Sequence, residues 1–465
     1  MSARKSLNKR GQKGAARVRP VRSKSLSFDG ELRTVEPRGG RSRACLLRAP
    51  SLKLWSVGDR SGCEGQVSRA ASNGVRTWIE LDAEACRHNV KTFRKLIGPN
   101  VKLFSVVKSN AYGHGLPVFP KLIESMGIDP VRNKPLHAAA AAPSAERISN
   151  GVDGFCVDSI LEGLRLRKEG IKKPILVLGF TLPAFFGKAA LNNIAVTISS
   201  FDSLRAFERT KRKPFFHLKI DTGMHRQGFY QEDLPKVVRL LTKSLNPKLA
   251  GIYTHFASKD IKDRAYSEQQ FRNFEKAVTI LERAGFKNLI RHAAATGGAF
   301  ISPKYHLDAV RIGIGSYGLW PSGELEAALF KKISLKPILS WRTMISEVKS
   351  LSAGDCVGYD MTECVNRPTK AAVLPIGYWH GFPRSLSGIG EVLIRGRRAR
   401  VLGKVSMDMT VIDVTGIDCR PGDVTTIIGK DSGNELTASE VAQRAGTINY
   451  EFVTRLNPLI QKIVV

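Results

Sequence analysis

The chain has 465 residues, 42% hydrophobic and 25% charged, with 73 Lys and Arg against 41 Asp and Glu and a formal net charge of +32. Such a composition excludes a collagen-like or wholly disordered chain, and the length allows two or three domains with a large core. No apolar run is long enough to span a bilayer and no positively flanked apolar block resembles a secretory signal, so the sequence predicts neither membrane association nor export, and a cytoplasmic protein.

The charge is uneven. Residues 1–75 hold 17 Lys and Arg against 5 Asp and Glu, and the remaining 390 residues hold 56 against 36. Basic surfaces attract nucleic acid or anionic lipid, but the chain has no nucleic-acid motif and no interleaving of basic and aromatic residues. An anionic small molecule is an adequate partner for part of the charge. Seven cysteines are scattered without metal-type spacing, a sparse, odd set that predicts no metal, no disulfide framework and a reducing compartment.

In chain order, residues 1–75 read as a disordered basic extension, rich in Arg, Lys, Ser and Gly without sustained periodicity. A transit peptide shares that bias, but a solvated extension is the simpler reading. Order begins at the strand-like run 76–82, where Asp82 caps a helix over 83–96. Eight strand candidates follow: 103–108, 154–158, 174–179, 195–199, 215–221, 251–255, 289–294 and 310–315. Helix-patterned segments separate most of them, most clearly 160–168 and 269–284. This alternation predicts an α/β fold, a (β/α)8 barrel of the TIM type over 76–323. An open doubly wound sheet would carry a glycine-rich nucleotide turn after its first strand, and that pattern is missing. Residues 129–150, low in complexity, read as a surface insertion. From 324 to 465 short strands and turn pairs predict a mainly β domain, with strands at 342–351, 369–375, 391–394, 400–405, 410–414 and 423–428 and helix confined to 437–445.

Function in such a barrel gathers at the C-terminal ends of the strands. Lys108 closes the first, after the apolar run Phe104–Val107 and before a polar turn through Tyr112 and Gly115. A strand-end lysine either snorkels to water or serves as an amine nucleophile or base. The fifth strand carries Lys219 and Asp221 and leads to Arg226, the sixth ends at Thr254-His255, the seventh runs into Thr296-Gly297-Gly298, and the eighth holds Arg311 before Gly313-Ile314-Gly315. Each buried charge is explicable alone as a structural ion pair, but several converge on one rim. Thr296 and the backbone at 313–315 offer a phosphate cradle, and a cradle facing a strand-end lysine suits an aldehyde cofactor that carries a phosphate.

These residues resemble the alanine racemase family. The resemblance covers about residues 76–465 and rests on Val106-Val-Lys108-Ser-Asn-Ala-Tyr112-Gly-His-Gly115, His217–Arg226, Thr254-His255-Phe256, Arg311-Ile-Gly313 with Tyr317-Gly-Leu319, Gly358-Tyr359, Pro375–Tyr378 and Met407-Asp408. It implies pyridoxal 5′-phosphate as cofactor, L- and D-alanine as substrates, a homodimer with a site shared between subunits, and supply of D-alanine for peptidoglycan. It implies that Lys108 holds the cofactor and is one base, and that Tyr359, from the second subunit, is the other. Arg311 would face the pyridine nitrogen, and His255 would link Arg311 to Tyr359. Tyr112, Thr296, Gly313 and Ile314 would bind the phosphate, and Arg226 and the Met407 backbone the substrate carboxylate. Lys219 falls at the family's carbamylated position, where a carbamate would orient Arg226.

The chain departs from the family pattern at Ala295 (Asn in the family), Thr296 (Ser), Trp379-His380 (Ala-Asp), Ser406 (Cys) and Pro458, where the family carries a tyrosine. Those changes leave open a broader specificity, for serine or a larger amino acid. Two other readings compete. A fold-related decarboxylase would use a cysteine of the C-terminal domain, for which Cys356 and Cys364 are present, though Gly358-Tyr359 suits a racemase better. A non-catalytic cofactor carrier of the same barrel would lack the β domain.

Overall fold

The computed structural model describes residues 74–126, 151–243, 248–258 and 264–465. The insertion read over 129–150 lies outside them, as does the extension read over 1–75 apart from its last two residues.

Eight parallel strands form one sheet: β2 (Lys102–Val106), β3 (Gly154–Val157), β4 (Ile175–Val177), β5 (Ile194–Ile198), β6 (Phe216–Lys219), β7 (Leu249–Tyr253), β8 (Ile290–His292) and β9 (Ala309–Ile312). They pair in chain order, and β9 returns to lie beside β2. The ring is closed between β8 and β9 by the bridge from Ala295 to Arg311, with Arg311 N–H donating to Ala294 O at 3.0 Å. Arg311 therefore stands on the seam. β3, β4 and β5 are buried along their whole length, as expected of strands covered on both faces.

The strand β1 (Thr77–Leu81) was placed with the barrel by sequence position, but it lies in the second sheet. It runs antiparallel to β10 (Leu339–Met344) and parallel to the C-terminal strand Gln461–Val464. Hydrophobic patterning identifies a strand without naming its partner, and here the partner is more than 250 residues away. The chain then enters helix α1 (Ala83–Ile97), capped by Asp82, whose Oδ1 accepts from Ala85 N–H at 2.8 Å. Such a cap is worth about 1 kcal/mol. Asn89 on the buried face of α1 bonds both the N–H and the C=O of Lys336, at 2.9 and 2.8 Å, which pins the connection into the second domain to the barrel. Ile314, just past β9, packs into the second domain's core with Ile79, Leu81 and Trp341.

That domain is a ten-stranded sheet plus a separate two-stranded hairpin, Cys356–Val357 with Glu363–Cys364. Helix is not confined to 437–445: Ala438–Arg444 is followed by Asn449–Thr454, whose Phe452 and Val453 are buried. The helix is a single short amphipathic turn and a half, too brief for periodicity to mark. One pair departs from the reading of the cysteines as scattered thiols of a reducing compartment, since Cys356 and Cys364 are bonded. Eight residues apart they looked scattered, but the hairpin register sets them opposite each other. No helix among the described residues is long and apolar enough to cross a membrane.

Candidate active site

Lys108 lies two residues beyond β2, not at its end, and opens a tight turn. Ser109, Asn110, Ala111 and Tyr112 all have φ between 51° and 56°. Four successive non-glycine residues in the left-handed region cost roughly 1–2 kcal/mol each, so the surroundings must hold them. Asn110 Oδ1 accepts from Leu116 N–H at 2.8 Å, Ser109 N–H donates to Glu162 Oε1 at 2.6 Å, and the Ala111 methyl is fully buried. Backbone strain of this kind concentrates at functional sites. The Lys108 ammonium, partly exposed, lies 3.6 Å from Asp158 Oδ1.

The turn delivers Tyr112 to Gly313, at the end of the neighbouring strand β9. A Cβ on Gly313 would stand 2.8 Å from the Tyr112 hydroxyl, and one on Gly315 would meet Phe93 at 2.5 Å and the Thr296 methyl at 2.7 Å. The backbone there has no room for side chains. Thr296, buried at the start of its helix, accepts through Oγ1 from Gly313 N–H at 3.1 Å and Gly315 N–H at 3.4 Å. Tyr112, Thr296, Gly313 and Ile314 are thus brought together as one patch of hydroxyls and backbone N–H groups. Burial pushes the Tyr112 phenol up to about 12, so it remains a donor.

Arg311 is buried, yet it joins no ion pair among the described residues. Its Nη1 bonds His292 Nδ1 at 2.7 Å and donates to His292 O at 3.0 Å. Its Nη2 donates to Thr254 O at 2.7 Å and Ala293 O at 2.9 Å, and faces His255 Nδ1 at 3.4 Å. Every partner is neutral, and Nε makes none of these bonds. Burying a guanidinium without a carboxylate is expensive unless its donors are satisfied. The network also fixes tautomers. An arginine can only donate, so Nδ1 of His292 is an acceptor and Nε2 carries its proton, which it donates to His217 Nδ1 at 2.8 Å. By the same logic His255 carries its proton on Nε2. Burial, then the charge of Arg311, holds His255 and His292 well below the usual imidazole range and His217 at about 3.

His217 and Lys219 alternate along β6 and so share a face. Lys219 is buried, and burial, then Arg311 and Arg226, pulls its amine down to about 8. Lys108, Arg226, Lys219 and Arg311 all act on His255 electrostatically, so these cations form one cluster. Arg226 sits on a turn organised by Asp221. One carboxylate oxygen accepts from the N–H groups of Gly223, Met224 and His225, at 2.9–3.0 Å, and the other accepts from Arg226 N–H at 2.8 Å.

Tyr359 and Met407 stand apart from this cluster. Both are exposed, at 66% and 54%, and no hydrogen bond or ion pair among the described residues links the Tyr359 hairpin to it. Met407 is held by the Gly377 turn: a Cβ on Gly377 would stand 2.0 Å from Ser406 O, and Trp379 N–H donates to Met407 O at 3.0 Å. Two departures from the family pattern are stitched to each other by Asn457, which donates from Nδ2 to Trp379 O at 2.9 Å and from its N–H to His380 O at 3.2 Å, next to exposed Pro458. The sequence reading assigned no role to His292, His217 or Asp221. The signal for His217 was its spacing of two from Lys219; for His292, its place at the end of a barrel strand.

No group of His, Cys, Asp and Glu among the described residues could hold a metal ion. The donor set suits an anionic aromatic aldehyde instead: an amine at the rim, a tight backbone patch with two hydroxyls, and a buried guanidinium with Nε outside its network.

The model of the alanine racemase N-terminal domain matches residues 81–130 and 134–321, and that of the alanine racemase C-terminal domain matches 338–464. The alanine racemase of Leptospira interrogans is 36% identical over 406 residues, covering 86% of this chain and 98% of that protein. That of Desulforamulus reducens is 36% identical over 396 residues, covering 83% and 98%. Among solved structures, alanine racemase from Bacillus anthracis with bound L-Ala-P superposes with a TM-score of 0.75 at 30% identity, covering 84% of this chain and 95% of that one.

Proposed function

The chain belongs to the alanine racemase family, and we propose that it interconverts L- and D-alanine with Lys108 and Tyr359 as bases on opposite faces of the α-carbon. Racemisation needs two such groups, one to remove the proton and one to return it from the far side. Bound pyridoxal 5′-phosphate supplies the electron withdrawal that acidifies the α-proton. Lys108 would hold its aldehyde carbon, and Tyr112, Thr296 and the backbone of Gly313 and Ile314 its phosphate.

The observation that carries the reading is Arg311. A guanidinium whose terminal nitrogens are committed to neutral acceptors, with Nε left over, suits an uncharged ring nitrogen. Because arginine does not give up its proton, Arg311 would offer that nitrogen a hydrogen bond but no proton, which would favour proton return over side reactions. His255, with its proton on Nε2, would donate to the Tyr359 phenolate and so lower the phenol's pKa. Arg226 and the Met407 backbone would hold the substrate carboxylate. Lys219, with its amine near 8, has a neutral fraction able to add carbon dioxide, and the resulting carbamate anion would orient Arg226.

Tyr359 and Met407 would act in trans, in a homodimer. Support comes from their separation from the Lys108 cluster and from the exposure of large apolar side chains close to them in sequence or by backbone bonds, Met361, Tyr378, Trp379 and Met409, which suit a contact with a second copy. The reaction would supply D-alanine for peptidoglycan in the cytoplasm. The decarboxylase reading is set aside because both domains match those of alanine racemase.

The test is direct. Purified protein given pyridoxal 5′-phosphate should form D-alanine from L-alanine and the reverse, and Lys108→Ala should abolish both. Absence of racemisation by the cofactor-loaded wild type would overturn the assignment.

A further inference from the structure

The hairpin that carries Tyr359 is closed by a covalent bond at its base. Cys356 and Cys364 face each other in the antiparallel pair and are joined by a disulfide. This ribbon has two paired residues per strand and forms no ladder with the ten-stranded sheet. A two-stranded ribbon alone is marginal in water. Its tip is strained as well: Gly358, Asp360 and Met361 have φ of 77°, 60° and 49°, a region disfavoured for the two that bear side chains.

The remaining anchors are unequal. Glu363 accepts from Arg400 Nη2 at 2.5 Å and from Gly403 N–H at 2.6 Å, which fixes the strand after the tip. The tip itself has the ion pair of Asp360 with Lys404, and the Asp360 carboxylate is 70% exposed, so water and salt weaken it. The base of the hairpin is also held by Val357, buried against Ala371 and Leu402, and by the backbone bonds of Gly354 N–H to Val365 O at 2.7 Å and Val365 N–H to Asp355 O at 2.9 Å. The disulfide therefore acts on the tip, as the covalent tie between the two strands that flank Tyr359. Both bonded cysteines are exposed. The other cysteines of the described residues, Cys86, Cys156 and Cys419, are free and buried; burial pushes the Cys86 and Cys156 thiols up to about 12. Buried protonated thiols are inert, whereas an exposed disulfide exchanges.

We propose that the Cys356–Cys364 pair is a thiol–disulfide exchange site that latches Tyr359, so that a dithiol reductant slows racemisation and reoxidation restores it. The proposal rests on the reading of Tyr359 as the second base. In the exchange a reductant thiolate attacks one cysteine sulfur and expels the other as a thiolate, which takes a proton. The second thiol of the same reductant then displaces the mixed disulfide, leaving two cysteine thiols and one oxidised reductant.

The experiment uses the cofactor-loaded enzyme, with and without dithiothreitol, followed by removal of the reductant and alkylation with iodoacetamide. Reduction should label Cys356 and Cys364, lower kcat by on the order of tenfold through misplacement of the phenol, and leave cofactor content unchanged. Loss of α-deuterium to solvent should slow for one alanine enantiomer only, the one whose proton faces Tyr359; general loosening of the fold would slow both. Reoxidation of a portion that was reduced but not alkylated should restore the rate. The double variant C356S/C364S should be slow throughout and indifferent to dithiothreitol. Full activity with both cysteines labelled would overturn the proposal, as would a disulfide that dithiothreitol leaves intact, or an equal response in the double variant. Failure of the underlying reading shows separately, as undiminished racemisation by Tyr359→Phe.

Discussion

Arg311 Nη1 lies 2.7 Å from His292 Nδ1 in the barrel interior, where Arg311 forms no ion pair among the described residues. The guanidinium is held by rings and carbonyls alone, which sets the tautomers of His292, His217 and His255 and leaves Nε outside the network. Arg311→Lys keeps the charge but replaces a planar fork with a point donor. The expected outcome is a loss of about 1–3 kcal/mol of stability from unpaired carbonyls and a fall in kcat/KM on the order of 10². Urea denaturation and steady-state racemisation measure the two.

The buried imidazoles predict acid sensitivity. Folding holds His114 at about 4 and His217 at about 3, and pulls His255 and His292 down too, chiefly by burial. A depressed folded pKa means that below the unfolded value, about 6.5, the unfolded chain binds more protons. Stability is then intact above that pH and falls as pH drops towards the folded values, by up to about 1.4 kcal/mol per pH unit for each histidine. Denaturation midpoints should be level from pH 8 to about 6.5 and fall steeply below it. His114→Gln should flatten the slope by up to one histidine's share.

The left-handed turn after Lys108 makes a contrast between two substitutions. Ser109 is exposed at φ 54°. Ser109→Gly should stabilise by about 0.5 kcal/mol, because relief of the backbone outweighs the added freedom of the unfolded chain. Ser109→Val should destabilise by more than about 1 kcal/mol, since a β-branched residue resists that φ. Thermal unfolding of both variants checks the pair of signs.

Lys219 stands among like charges with its amine near 8. A carbamate would convert it from cation to anion and remove that repulsion. Depleting dissolved carbon dioxide should raise KM for alanine in the wild type, and Lys219→Met should have the raised KM at every bicarbonate level. Labelled carbon dioxide should give a carbamate carbon resonance in the wild type and none in the variant.

Much of this was legible because the determinants are local. All eight barrel strands lie within a few residues of their expected places, since each is a short apolar run between turn signals. The resemblance supplied residues whose chemistry needs contacts far apart in sequence, such as Thr296 with Gly313. What the sequence concealed was pairing. Nothing in Thr77–Leu81 says that it joins Leu339–Met344 and Gln461–Val464. Nothing in Cys356 or Cys364 announces a partner until the hairpin register is known. The His217–His292–Arg311 relay spans three strands and was equally hidden, although the period of two in β6 marked His217 and Lys219 as neighbours on one face.

The most direct test of the two-base account is α-deuterium exchange by Tyr359→Phe. Because the equilibrium constant of racemisation is unity, kcat/KM must fall equally in both directions and does not reveal which face lost its base. Wash-out of deuterium into solvent does. The account predicts that the variant loses racemisation and loses wash-out from one enantiomer, while Lys108 continues to exchange the other. Equal loss of exchange from both enantiomers, or racemisation at the wild-type rate, would contradict it.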